Sequence, residues 1–358
     1  MLSGPALRGG LLALLAAVLF GASTPLVQSL GAGLGPLSTA ALLYAGAALV
    51  GALMRQPVHA EASLVRADLP RLLTMVFFGA MVGPVALAWG LQRTSGTSAS
   101  LMLSLEAFFT AVLAWRLYHE TMDRRVLAAM GLLLAGGMAL IFDQGQLGRL
   151  ELIGLLAVLL ATAAWGIDNS MSRGLADKDP GTVVLYKAAS GATCTAILAW
   201  LASEPLPSAI AAVSLLAVGA TGYGLSLRFY LLAQRTFGAA RTGSVFSFAP
   251  FIGAAVAMAM GERSMGWLMM LGAALMVAGV VLHLAESHGH AHQHDALYHE
   301  HAHNHGDGHH SHEHHHDPAA PENKPLESPL GSHSHWHRHE PQLHTHAHAP
   351  DLHHQHIH

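Results

Sequence analysis

The sequence predicts an all-α membrane protein, with ten transmembrane helices in two inverted five-helix repeats and a disordered histidine-rich tail behind them. Three observations predict it. The 358 residues are 52% hydrophobic and only 11% charged, against roughly 25% charged in soluble domains. Ten apolar runs reach the length, about 20 residues, that a helix needs to cross a bilayer. The second half of the body also repeats the first at a nearly constant offset.

The runs fall at 9–29, 36–54, 70–91, 97–118, 125–142, 151–173, 181–202, 208–233, 239–260 and 264–284. The first contains a stretch, Leu11 to Phe20, as short as a signal-peptide core, but it continues through Leu30 behind a weakly charged start. It is therefore read as an uncleaved first span. With a cytoplasmic N-terminus, thirteen lysines and arginines fall on one side and Arg93, Arg149 and Arg263 on the other. That bias sets the orientation, and ten spans return the tail to the cytoplasm. Twenty-five of the 28 histidines lie between Glu286 and His358, where no apolar run exists from which a core could be built.

The repeat is the most specific signal. At an offset of 142, Tyr44 matches Tyr186, Gln92-Arg93-Thr94-x-Gly96 matches Gln234-Arg235-Thr236-x-Gly238, Glu120 matches Glu262, and Gly137 matches Gly279. Phe20-Gly21 is similar to Trp165-Gly166 at 145. Five spans per repeat is an odd number, so the second repeat is inverted, as in alternating-access carriers with a midplane substrate site. The chain divides into 1–142, 143–285 and the tail, 286–358.

Two five-span repeats, each with an apolar helix closing in a glutamate and followed by a glycine-bearing helix, resemble the EamA-type carriers of the drug/metabolite transporter superfamily. The likeness covers about residues 10 to 284. The Gly-Glu that ends the fourth helix of a repeat in that family stands here as Gly261-Glu262, but as His119-Glu120 in the first half; Pro250 is displaced by one residue from the family's proline. With its tail, the body looks like the nickel and cobalt resistance exporters of the CnrT/NccN type. The resemblance implies a secondary exporter in the bacterial inner membrane, with nickel as first substrate and cobalt next.

The tail carries His288, His290, His292 and His294, then His299, His301, His303 and His305, then His309, His310, His312, His314, His315 and His316. After a spacer come His333, His335, His337, His339, His344, His346, His348, His353, His354, His356 and His358. Imidazole suits nickel, cobalt, zinc and copper alike, so the tail binds zinc or copper as readily and cannot name the metal.

Within the membrane, Glu106 lies about 15 Å deep in the fourth span, near the midplane. Intramembrane charge is costly, so the default is a lumen-facing functional group; the alternative is a glutamate tying two helices together. Met102, one turn away, and Ser104 accompany it. Asp168 and Asn169 share an estimated depth with Lys187 and Arg228, which suggests a salt-bridged vestibule or, alternatively, cations snorkelling to the interface. His119 and Asp123, at i and i+4, are a possible metal-loading site.

The single cysteine, Cys194, forbids an intrachain disulfide. Lysine and arginine are too scattered for nucleic acid. No Walker motif and no nucleophile–base pair occurs, so neither a primary pump nor an enzyme is expected, and no catalytic cofactor. Partners are the lipid bilayer, the metal substrate and a proton counter-ion, with a homodimer left open. Two other functions compete: export of a small organic metabolite such as an amino acid, with a metal-sensing or buffering tail, and a membrane-anchored metal store.

Overall fold

The computed structural model describes residues 4–56, 62–118, 124–175, 178–237, 239–262 and 266–284, and in the tail 288–293, 297–304, 332–339 and 343–348. The body is helical because lipid offers the backbone no hydrogen bonds, so each segment must satisfy its own. The first elements are α1 (Gly4–Leu30), α2 (Pro36–Met54) and α3 (Leu69–Thr74), which continues through a π-helical stretch, Met75–Val82, into α4 (Gly83–Leu91). Next come α5 (Gly96–Met102), α6 (Leu105–Tyr118), α7 (Arg124–Leu147), α8 (Arg149–Ser172) and α9 (Pro180–Leu201). Then α10 (Ala209–Val218) passes through a second π stretch, Gly219–Leu225, into α11 (Ser226–Phe237), and α12 (Ala239–Phe246), α13 (Ala249–Ala259) and α14 (Trp267–Leu284) complete the body.

Starts are written in the sequence. Proline occupies the first turn of α2 and α9, where its missing N–H costs nothing. Ser95, Asp179 and Ser208 accept backbone N–H groups at the starts of α5, α9 and α10. Leu14, Leu49, Leu53, Phe77, Phe142, Leu160 and Ile197 point outward, a surface suited to lipid.

Eight helical segments among the described residues are long and apolar enough to cross a membrane; α13 and the Trp267–Leu282 part of α14 are shorter apolar helices. Eight of the ten expected spans are thus seen at full length among the described residues. The ninth run, 239–260, is divided by a turn at Ser247–Phe248 before Pro250, which cannot donate to a continuing ladder. The fourth run is divided in the same way at Leu103–Ser104.

Helix pairing is preserved when the halves are exchanged. The helix α2 packs on its counterpart α9 and α7 on its counterpart α14, while α1 against α11 mirrors α8 against α4. Between α7 and α14 a Cβ at Gly136 would stand 2.8 Å from the Gly272 carbonyl oxygen, so glycine is what permits the approach. Gly131 on the same helix has open space around it.

Four stretches of the tail are extended and paired. β1 (His288–Gln293) runs antiparallel to β4 (Leu343–His348), and β2 (Leu297–Asn304) to β3 (Ser332–His339). Alternating His-x-His has the period of a strand, so each run places its histidines on one face. The other tail histidines lie outside the described residues.

Candidate functional site

A cavity of about 60 Å3 lies inside the bundle, lined by residues of both halves. Glu106, Asp168, Asn169 and Lys187 supply its polar groups, and Phe20, Tyr44, Trp165, Tyr223, Tyr230 and Phe246 most of its walls.

Glu106 stands in the first turn of α6, immediately after the break. Tight turns replace the α-helical ladder there, with Ser104 N donating to Leu101 O at 2.9 Å and Glu106 N to Leu103 O at 3.0 Å. Its carboxylate therefore stands at the N-terminal, positive end of a half-helix. Asn169 Nδ2 on α8 donates to Glu106 Oε1. One helical position away, Asp168 Oδ2 accepts Lys187 Nζ from α9 at 2.5 Å, with both side chains at most 5% exposed. Asp168 Oδ1 has no hydrogen-bond partner among the described residues.

The wall beside Asp168 follows from the first π stretch. Gly83 N–H bonds to Phe78 O, five residues back, so it is not available to Gly79 O four residues back. The next donor in line would be Pro84, which has none. Gly79 O is thus freed from the ladder, and both Tyr44 OH and Trp165 Nε1, the latter at 3.0 Å, donate to it. Gly79 itself is required, because a Cβ there would lie 2.5–2.6 Å from both Asp168 carboxylate oxygens. The second π stretch contributes Gly222 and Tyr223 to the cavity. The aromatic rings meet edge-on, Phe20 with Trp165 at 5.4 Å and Tyr230 with Phe246 at 5.0 Å.

Residues 7–142 and 152–285 each match the EamA-like transporter family. The chain belongs to that family. As an EamA-like protein it is a multi-pass membrane transporter. It is 23% identical over 235 residues to an uncharacterized transporter of Methanothermobacter thermautotrophicus, covering 63% of this chain and 67% of that one. A solved crystal structure shares the fold, with a TM-score of 0.55 and 19% identity over 78% of this chain and 95% of the other.

Of the residues singled out in the sequence, Glu106, Asp168, Asn169 and Lys187 line the cavity together; three others do not. Met102 and Ser104 are buried behind it. The sequence expectation assumed one continuous helix, and the break at Leu103–Ser104 puts Met102 and Glu106 on separate half-helices, where i and i+4 no longer share a face. Arg228 Nη1 instead donates to Met54 O at 3.0 Å, at the end of α2. Its depth matched Lys187, but depth along an axis says nothing of direction around it. His119 and Asp123 lie outside the described residues. The sequence reading missed Tyr44 and Gly79, whose signals were a repeated tyrosine and the Gly83-Pro84 pair.

Proposed function

We propose that this EamA-like chain exports divalent transition-metal cations, nickel first and cobalt next, from the cytoplasm across the bacterial inner membrane in exchange for protons. The observation that carries the reading is the gathering of Glu106, Asp168 and Asn169 in one cavity, on a chain whose tail holds 25 histidines. Among the described residues no three of His, Cys, Asp and Glu converge as a fixed metal cage. A carrier site must also release its cargo, so two carboxylates and an amide suit passage better than a cage would.

Exporting two positive charges against a potential costs about 4.6 kcal/mol per 100 mV, and inward protons can supply that work. Glu106 is the coupling group. Its carboxylate holds either a proton or the cation, because metal ligands must be deprotonated. Asn169 aims the carboxylate, while Lys187 keeps the Asp168 charge compensated when no cation is present. The pairing of helices under exchange of the halves supports two inverted repeats rocking about this site. The tail histidines collect metal at the cytoplasmic mouth and also bind zinc or copper.

A second reading has its own support. The aromatic walls and the Asp168–Lys187 pair suit a small zwitterion such as an amino acid, with the tail then sensing or buffering metal. Uptake of radioactive nickel, with cobalt and zinc in parallel, into inverted vesicles with and without a proton gradient separates the two. Gradient-dependent nickel accumulation is expected. Absence of any metal uptake, with metal bound only by the tail, would transfer the proposal to the metabolite.

A further inference from the structure

We propose that Glu204 and Glu262 are the positioning residues of a gate, a pair of carboxylate latches that hold one end of the transport path shut by gripping the N-termini of helices in the opposite half. Both sit at the end of the bundle that carries the turns at 31–35, 92–95, 202–208 and 260–262, the external face under the charge-bias orientation.

The two latches are built alike. The helix α13 ends with Gly261 at φ +108, Gly261 N donating to Met258 O at 3.1 Å and Glu262 N to Ala257 O at 3.2 Å. The helix α9 ends with Ser203 at φ +53, Ser203 N donating to Trp200 O and Glu204 N to Ala199 O, both at 3.0 Å. Each is a Schellman termination with the glutamate as its second residue beyond the cap, so the backbone fixes where the carboxylate points.

Each carboxylate then takes two successive backbone N–H groups from the first half. Glu262 Oε1 accepts Gly96 N at 2.7 Å, and Oε2 accepts Thr97 N at 2.8 Å and Thr97 Oγ1 at 2.7 Å. Glu204 Oε1 accepts Leu37 N at 3.1 Å and Oε2 accepts Ser38 N at 2.7 Å. At the Glu204 latch a glycine makes the seat, since a Cβ at Gly35 would overlap the carboxylate; at Gly96 a Cβ would first meet Gln28 Oε1 at 2.4 Å and then Glu262 Oε1 at 3.1 Å. First-turn N–H groups lack helical partners, and a carboxylate meeting two of them forms charge-assisted bonds at the positive end of the dipole.

Both latches join a helix end of residues 143–285 to a helix start of residues 1–142, across the boundary on which the cavity lies. Parting α13 from the start of α5 breaks the Glu262 latch, and parting the end of α9 from the start of α2 breaks the Glu204 latch. At the other end Asp179 caps its own helix α9 through Gly181 N and Thr182 N, and it also accepts Gln56 N of the first half at 3.2 Å, while Lys178 pairs with Asp68 at 3.7 Å. Among the described residues these cross-half contacts reach a helix end or a side chain, and no acidic side chain there grips a helix start of the opposite half. The latches therefore favour closure at their own end, without touching cargo.

The test uses a Cys194→Ser chain with Ala47→Cys as a reporter in the cavity wall, labelled by a membrane-impermeant maleimide from each face, in whole cells and in inverted vesicles. Glu204→Gln combined with Glu262→Gln should raise labelling from the latch face by about tenfold, with no rise from the other face. Glu262→Gln alone and Thr97→Val should give smaller rises in the same sense, and they decide the matter if the double variant fails to insert. Unchanged labelling from the latch face in inserted protein, or an equal rise from both faces as from general loosening, would overturn the proposal.

Discussion

Replacing Lys187 by methionine tests the reading of the cavity as a charge-balanced site. At 2.5 Å and an effective dielectric near 20, the attraction between ammonium and carboxylate is about 7 kcal/mol, most of it offset by the cost of taking both ions out of water. Lys187→Met leaves the methylene stem nearly intact but strands the Asp168 charge, whose Oδ1 has no partner among the described residues already. Removing one member of a buried pair costs about 3–5 kcal/mol, whereas removing both is often close to neutral. The single variant should therefore lose most of its resistance to unfolding in an SDS titration followed by circular dichroism. Lys187→Met with Asp168→Asn should recover to within about 2 kcal/mol of the parent. A single variant no less stable than the double would refute the claim that Lys187 compensates Asp168.

Two further outcomes follow from the same geometry. Tyr44→Phe and Trp165→Phe each remove one of two donors to Gly79 O and should cost about 1 kcal/mol apiece; together they orphan a buried carbonyl and should cost more than the sum, by about 1–3 kcal/mol in the same titration. Ser203→Gly relieves the one left-handed non-glycine residue among those described, and should raise stability by about 0.5–1 kcal/mol, net of the added freedom of the unfolded chain, with the Glu204 latch intact.

Much of the fold was legible because lipid imposes one rule on every segment. Apolar length alone located the long helices. The break in the ninth run is marked by Pro250, but that in the fourth was hidden, since Leu103 and Ser104 carry no helix-breaking chemistry. For the same reason Met102 and Ser104 were placed beside Glu106 by a periodicity that the break interrupts. Asp168 and Lys187 were legible as partners from shared depth, but the same argument promoted Arg228, because depth along a helix carries no azimuth. The Glu106–Asn169 contact and the shared acceptor at Gly79 are long-range pairings between α6 and α8, and between α2, α8 and the π stretch. No local pattern encodes them. The glutamate at 262 was visible as a repeated residue, while its grip on Gly96 and Thr97 required the second half to be folded against the first.

The most direct measurement is proton-gradient-driven nickel accumulation in vesicles carrying the parent chain or Glu106→Gln, over a range of pH. Glutamine keeps the hydrogen-bonding shape beside Asn169 but can neither bind nor release a proton. The parent should accumulate nickel only with the gradient and with a rate that depends on pH. Glu106→Gln, inserted to the same level, should accumulate none above the empty-vesicle background. Wild-type accumulation by Glu106→Gln with unchanged pH dependence would contradict the assignment of Glu106 as the coupling group.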